Sequence, residues 1–340
     1  MVTQKDVARL ARVSFITVSR VVNGEDNVRP ETRERVLAAI EKLGYIPSFA
    51  GKALNTGRND TIGVMIPRKL EDAPEYAILV HTFNGILDAC YERKIDVLVT
   101  TSDSEEDPRE RLFPYKQKKA DGMIYFGFSP MPDELADEIA KHRIPCVAIA
   151  ARPSHEGVSW IDADYRSAGY ETGTRIAKNG HRDIILVNYD KEGGQNERER
   201  GFMSALEDYG APHRIYRALV KRGVERNAIR QEIRKAFRRM ENKPTALFCA
   251  DDRLLDITLN EIQEMNIDIP RKMSLVGFGG LEPKSFPRLS IATNRLPLAE
   301  MGNQGASMLI DLIRSGRANR RTELLPVAFV NGESLVGPPS

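Results

Sequence analysis

Between Ser14 and Asn23 the sequence sets four short hydroxyl or amide side chains, Ser14, Thr17, Ser19 and Asn23, around a single arginine, Arg20. Short donors of this kind suit phosphate oxygens, and a guanidinium pairs bidentately with the O6/N7 edge of guanine. Phe15 and Ile16 stand beside them and could meet thymine methyl groups. The chemistry on offer is non-covalent reading of a nucleic acid. The competing reading makes Phe15 and Ile16 buried core and Arg20 a solvated charge. Covalent chemistry has no comparable signal: the sequence holds no G-x-S-x-G, no Walker loop and no H-E-x-x-H. Its five histidines are scattered, and Lys191-Glu192-Gly193-Gly194 is a loop without a phosphate motif around it. Cys90, Cys146 and Cys249 are too far apart in sequence to suggest a disulfide framework or a zinc site. Asp251, Asp252 and Asp256 read as a charged helix start, because a cation site would need further spaced oxygen ligands. No catalytic residue, metal or cofactor is expected.

The reading residues need a rigid element beneath them. Thr3 can cap a first helix with Asp6 in its positive first turn, and Val7, Ala8, Leu10 and Ala11 form its apolar stripe. Ser14 caps a second helix from Phe15 to Val22, with Val18, Val21 and Val22 turned to the core and Asn23-Gly24 as the stop. Pro30 opens a third, whose core positions are Val36, Leu37, Ala39, Ile40 and Leu43, and Gly44 ends it. Three short helices with a tight first turn make a helix-turn-helix plan.

Charge is distributed to match. Residues 1–58 carry 10 Lys and Arg against 6 Asp and Glu, a surplus of +4, whereas the other 40 basic and 42 acidic residues sum to −2. A basic head on a near-neutral body suits a phosphate-contacting module joined to a sensor. The N-terminal residues have no apolar export core and no stretch approaches membrane-spanning length, so a cytoplasmic protein without membrane partners is expected.

From Thr61 the pattern changes. Apolar runs (62–66, 97–99, 123–126, 146–149, 184–187, 246–249, 275–276) alternate with amphipathic stretches such as 76–93, 134–142, 168–179 and 198–209. Continuous apolar strands separated by helices imply parallel sheets covered on both faces, and so many units over ~280 residues imply two sheets.

The string KDVARLARVSFITVSRVVNG, followed by VRPETRERVLAAIEKLGYIP, closely resembles the head of the lactose/galactose-repressor (LacI/GalR) family. The resemblance continues through Ala120-Asp121-Gly122, Gly180-His181-Arg182, Arg198-x-x-Gly201-Phe202 and the tail to Glu333-Ser334. It implies a helix-turn-helix DNA-binding domain over 1–47, a hinge helix and linker over 48–59, and an effector-binding and dimerisation body over 60–340. That body would be an α/β, periplasmic-binding-protein-like pair of lobes, one about 60–160 plus 291–320 and the other about 161–290 plus 321–336. The implied protein is an allosteric, homodimeric transcriptional regulator of a double-stranded operator, with repression favoured over activation. Contacts to DNA are implied for Thr3, Ser14, Phe15, Ile16, Thr17, Ser19, Arg20, Asn23, Leu54 and Asn55, with Leu54 matching a leucine that wedges into the minor groove. For the effector, Arg198 matches the family's effector-binding arginine, a fork for hydroxyls or a carboxylate, and Asp251 falls where the family usually has Asn. Tyr76 and Phe126 fall near strand ends, in loops that commonly face a ligand, although an aromatic there is as often core.

Several positions depart from the family pattern. Gly51 replaces the usual hinge Ala, at roughly 1 kcal/mol in helix propensity, and Arg29 replaces a Ser cap. In the body the usual G-[FY]-D-D is Gly277-Phe278-Gly279-Gly280, a usual Asp is Ala150, and a usual Gln is Leu296. Fewer polar anchors make a free hexose a poor match and leave open a sugar-derived or anionic effector, an apolar one, none, or control by a phosphoprotein partner. The reading from a different class is a solute-binding protein without DNA function, which would carry an export signal and lack the helical head.

Overall fold

The computed structural model describes residues 2–22, 24–46, 57–67, 73–102, 108–127, 130–190, 193–221, 224–239, 243–280, 289–316 and 320–339. The hinge residues Gly51, Leu54 and Asn55, and Asn23 at the end of the reading segment, lie outside them.

The head is α1 (Gln4–Ala11), α2 (Phe15–Val22) and α3 (Pro30–Leu43). Its small core is Val7, Ala8, Ala11, Val18, Val21, Val36, Ala39 and Tyr45. Leu10 and Leu37, expected in that core, are exposed. Each sits one residue, about 100° of helix, from a position that does point inward. Gly44 adopts a left-handed conformation, φ 59°, and so stops α3 where a side chain would be strained. Arg29 contributes no side-chain cap, and Pro30 occupies the first turn instead.

The body contains two six-stranded sheets of matching order. The first comprises β1 (Thr61–Pro67), β2 (Asp96–Ser102), β3 (Gly122–Phe126), β4 (Cys146–Ile149), β5 (Ser159–Ala163) and β11 (Thr322–Leu325), arranged β11-β5-β4-β3-β1-β2. The second comprises β6 (Asp183–Tyr189), β7 (Arg214–Val220), β8 (Ala246–Cys249), β9 (Ser274–Gly279), β10 (Ala292–Arg295) and β12 (Ala328–Val330), arranged β12-β10-β9-β8-β6-β7. All pairings are parallel except β10 with β12. Central strands such as β4, β6, β8 and β9 are buried along their whole length, as sheets covered on both faces require.

Helices α4 (Ala73–Arg93), α5 (Pro108–Arg111), α6 (Phe113–Lys116) and α7 (Asp133–Lys141) follow strands of the first sheet. Helices α8 (Tyr165–Lys178), α9 (Gly193–Asp208), α10 (Arg226–Arg238) and α11 (Asp252–Glu264) belong with the second. Helix α12 (Leu298–Ser315) returns to the first, packing on α4 and on β3, β4 and β5.

The chain therefore crosses between lobes after Ala163, Arg295 and Leu325, a few residues beyond each boundary expected from sequence. Strand β10 falls in the second lobe, where Ala292 pairs with Val276, and β11 in the first, where Thr322 pairs with Trp160. Each strand runs its full length against its neighbour before the chain leaves the sheet, whereas the expected boundaries cut ahead of or through these strands.

Candidate functional site

On the head, Ser14 Oγ accepts the Thr17 backbone N–H at 3.1 Å and lies 2.8 Å from Thr17 Oγ1, which fixes the first turn of α2. Thr3 donates its own N–H and hydroxyl to Asp6 Oδ2 at 3.0 and 2.7 Å, so the acid reaches back to the helix start. These hydrogen bonds hold the Asp6 carboxyl below its ordinary range. Phe15 and Ile16 are 49% and 61% exposed, against the reading that would bury them in the core. Arg20 lies on the exposed face, with Nε 3.7 Å from Glu25, while Ser19 is half-buried. One exposed surface of α2 thus carries Ser14, Phe15, Ile16 and Arg20, with Val18 and Val21 pinning the opposite side to α1 and α3.

The second constellation lies where β6 and β8 end. They are adjacent at the point where the strand order of the second sheet reverses, and the crevice beyond the carboxyl ends of strands at such a point collects ligands. Arg198, on α9, is buried; its Nη1 donates to the Ala250 carbonyl at 2.6 Å and to Asp251 Oδ2 at 3.1 Å. Its guanidinium lies over the rings of both Tyr165 (4.6 Å) and Phe278 (4.2 Å). The motif glycine three residues on explains how α9 is placed. A β-carbon on Gly201 would stand 1.9 Å from the Arg166 carbonyl oxygen, and one on Gly169 2.0 Å from that of Arg198. The two helices touch backbone to backbone at the level of the arginine.

Asp251 caps α11 and is gripped side-on by Arg253: Nε to Oδ1 at 2.8 Å and Nη2 to Oδ2 at 2.7 Å. Burial alone would raise the Asp251 carboxyl, but the charge and hydrogen bonds of Arg253, joined by the charge of Arg198, outweigh it and hold the acid ionised. The Arg253 guanidinium is buried too, over the Tyr189 ring at 4.9 Å, and its Nη1 reaches Glu75 Oε1 at 3.3 Å. Glu75 belongs to α4 of the first lobe, so this ion pair spans the cleft. At the other end, buried Asp162 accepts from Arg152 Nε at 2.7 Å, from the Ala163 N–H at 2.8 Å and from the Tyr165 hydroxyl. Burial, then the charge of Asp162, pushes that tyrosine's hydroxyl up. A continuous polar chain, Arg152–Asp162–Tyr165–Arg198–Asp251–Arg253–Glu75, therefore runs from the first lobe through the second and back.

Of the four residues expected to face an effector, Arg198 and Asp251 meet in this cluster. Tyr76 does not: it is 56% exposed on the outward face of α4, in line with exposed Val80, Leu87 and Tyr91. Its neighbour Glu75, about 100° around the helix, is the one that turns into the cleft. Phe126 ends β3 buried within the main apolar core. Glu75, Arg152, Asp162, Asp252 and Arg253 were not indicated as ligand residues by the sequence. Among the described residues no group of three or more His, Cys, Asp or Glu is placed to hold a metal ion, and no helix is long and apolar enough to cross a membrane.

Comparison with known proteins agrees with this architecture. Residues 3–48 match the model of bacterial regulatory proteins of the lacI family, and residues 174–335 match that of a periplasmic binding protein-like domain. The chain is 29% identical over 306 residues to catabolite control protein A of Priestia megaterium, covering 88% of this chain and 89% of that protein. It is 27% identical over 327 residues to the HTH-type transcriptional repressor PurR of Aliivibrio salmonicida, covering 94% and 95%. Among solved structures, the lac repressor dimer bound to operator and the anti-inducer ONPF superposes with a TM-score of 0.78 at 22% identity, over 98% of this chain and 99% of that one.

Proposed function

Since the chain belongs to the bacterial regulatory proteins of the lacI family, a DNA-binding transcriptional regulator with a periplasmic-binding-protein-like ligand domain, we propose that it represses its targets as a homodimer whose grip on a near-palindromic operator is set by the state of the interlobe cleft. The observation that carries the DNA-reading part is the exposure of Phe15 and Ile16 on the first turn of α2. Two large apolar side chains held in water by a capped, packed helix make sense as groups that await thymine methyls in a major groove. Arg20, beside them, reads a guanine; Ser14, Thr17, Ser19 and Asn23 contact phosphates, and Thr3 and Asn55 complete the DNA contacts. Leu54 acts as the minor-groove wedge at the centre of the site.

Dimerisation is supported by the stripe Tyr76, Val80, Leu87 and Tyr91, spaced four, seven and four residues apart on the outward face of α4. An apolar stripe at helical spacing facing water is the signature of an interface. Val99, exposed on the edge strand β2, adds to the apolar surface of the same lobe. The occupant is a second copy of the chain, which sets two heads at a fixed separation for two half-sites. Ligand in the cleft alters the relation between lobes, and so between the two heads, provided that it binds one arrangement more tightly than the other. The protein works in the cytoplasm and performs no turnover.

The test is unbiased selection of genomic fragments by the purified chain, repeated with Arg20→Ala. The expected outcome is a near-palindromic consensus for the wild type and loss of one preferred guanine in each half-site for the variant. A consensus unchanged by the substitution would remove Arg20 from the reading surface, and recovery of random fragments would remove the function.

A further inference from the structure

The hydrogen-bonding capacity of the cleft sets the chemistry of what it can hold; this deepens the ligand-site reading above and rests on it. Asp251 is fully engaged: Oδ1 accepts the Arg253 backbone N–H and Nε, and Oδ2 accepts Arg253 Nη2 and Arg198 Nη1. An ionised carboxylate has about four acceptor sites, so none is left for a ligand donor. Asp162 accepts three bonds, from Arg152, Ala163 and Tyr165. Asp252 Oδ1 is taken by the Phe278 N–H at 3.0 Å.

Donors are in the opposite condition. Arg198 is 6% exposed, yet its Nε has no acceptor among the described residues. Leaving a buried charged donor unmatched is costly unless something else supplies the acceptor. The two guanidinium groups are neighbours, since both donate to Asp251 Oδ2. Arg253 makes its closest bonds to Asp251, within its own lobe, at 2.7 and 2.8 Å, and reaches Glu75 at the longer distance of 3.3 Å. Of these two acids, the cross-lobe one stands farther from the Arg253 guanidinium.

A neutral sugar brings hydroxyls that need acceptors as well as donors, and Asp251, the acid that meets Arg198, has none to give. An acid needs only donors. We propose that the effector of this cleft is a small anion, a carboxylate or a phosphate ester, that displaces Glu75 from Arg253 and supplies the missing acceptor to Arg198 Nε. Glu75 is the built-in competitor: it holds the cleft closed on itself and lowers the apparent affinity for the anion by the fraction of molecules in which it is seated. Because Glu75 and Arg253 stand on different lobes, the exchange breaks a bond between them.

The test is calorimetric titration of the full chain and of Glu75→Gln with citrate, inorganic phosphate and glucose 6-phosphate, with glucose and cellobiose as neutral probes. Glu75→Gln removes the competitor, so at least one acid should bind it tenfold or more tighter than it binds the wild type. Citrate against the two phosphates identifies which acid group the site takes. Arg198→Met in the Glu75→Gln background should abolish the gain, and neither sugar should bind more tightly than that acid. Should no acid bind the variant more tightly than the wild type, including by not binding at all, or should a sugar bind the wild type better than every acid, the proposal is overturned. If Glu75→Gln fails to melt cooperatively, Glu75→Ala takes its place under the same criteria. Operator binding measured on the same samples keeps the two readings apart: loss of operator selectivity in the wild type refutes the regulator, while the calorimetry judges the anion.

Discussion

A β-carbon placed on Gly279 would stand 2.5 Å from Oδ2 of Asp252 and 2.9 Å from its Cγ. The family pattern has an acid at this point of the strand end, and here the space is taken by a carboxylate from the start of α11 whose Oδ1 accepts the Phe278 N–H. Gly279 also sits at φ 143°, a conformation that side chains rarely adopt. Gly279→Ala should therefore destabilise by about 1–3 kcal/mol through strain and crowding. Gly279→Asp should do worse, with two acids forced together. Equilibrium urea denaturation checks both, and an alanine variant as stable as the wild type would mean that Asp252 yields freely.

Arg253 compensates two buried acids at once, Asp251 within its lobe and Glu75 across the cleft. Arg253→Met keeps most of the volume and strands both charges. Breaking a buried pair from one side costs about 3–5 kcal/mol, much of it the penalty for the acid left behind. Denaturation of Arg253→Met should show a loss of that order. A loss under about 1 kcal/mol would place the network in effectively aqueous surroundings, as for a surface salt bridge.

Buried His181 accepts from Thr245 Oγ1 at Nδ1 (2.9 Å) and donates from Nε2 to the Val336 carbonyl (2.7 Å), tying the C-terminal segment to the second lobe. A carbonyl only accepts, so Nε2 carries the proton and the neutral ring satisfies both partners. Burial lowers its pKa, and the Val336 carbonyl only partly offsets this. A histidine depressed in the folded state binds its proton more readily when unfolded. Its contribution is complete above the ordinary histidine value of 6.5 and is lost as pH falls below it, towards the folded value. The melting temperature should fall between pH 7 and pH 5 more steeply in the wild type than in His181→Asn. Parallel profiles would show that this histidine does not set the acid limb.

Tyr91, the most exposed large apolar residue on α4, ends the outward stripe that begins at Tyr76. Val80→Asp puts a charge in the middle of that stripe, where a dimer would have to bury it unpaired. Sedimentation velocity at micromolar concentration should give a dimer for the wild type and a monomer for Val80→Asp, with the far-ultraviolet spectrum unchanged. A dimer that survives the aspartate is held by another surface.

The head was legible nearly to the residue. Sequence expects the reading helix over Phe15 to Val22, and the structure has it there, because cap, apolar spacing and stop signal are all local. The central strands were legible for a similar reason, as buried parallel strands are unbroken apolar runs. Strand β7 was not: it is an edge strand carrying Arg214 and Arg217, with only every second residue near its end buried. Strand β5 was obscured by Ser159 and Asp162, both buried for reasons that lie elsewhere in the chain. The cleft divides along the same line. Arg198 and Asp251 stand in recognisable strings, whereas Glu75 and Arg253 meet across 178 residues and leave no pattern in either neighbourhood. Tyr76 drew attention as an aromatic near a strand end, yet one step along the helix separates the cleft from the outer surface.

The most direct measurement is competition binding at one fixed salt concentration, because phosphate contacts alone would bind any duplex. The full-length protein is presented with its selected near-palindromic site and with the same base pairs scrambled. Reading of base edges by Phe15, Ile16 and Arg20 predicts a preference of about a thousandfold or more for the intact site. Equal affinity for the two duplexes would contradict it.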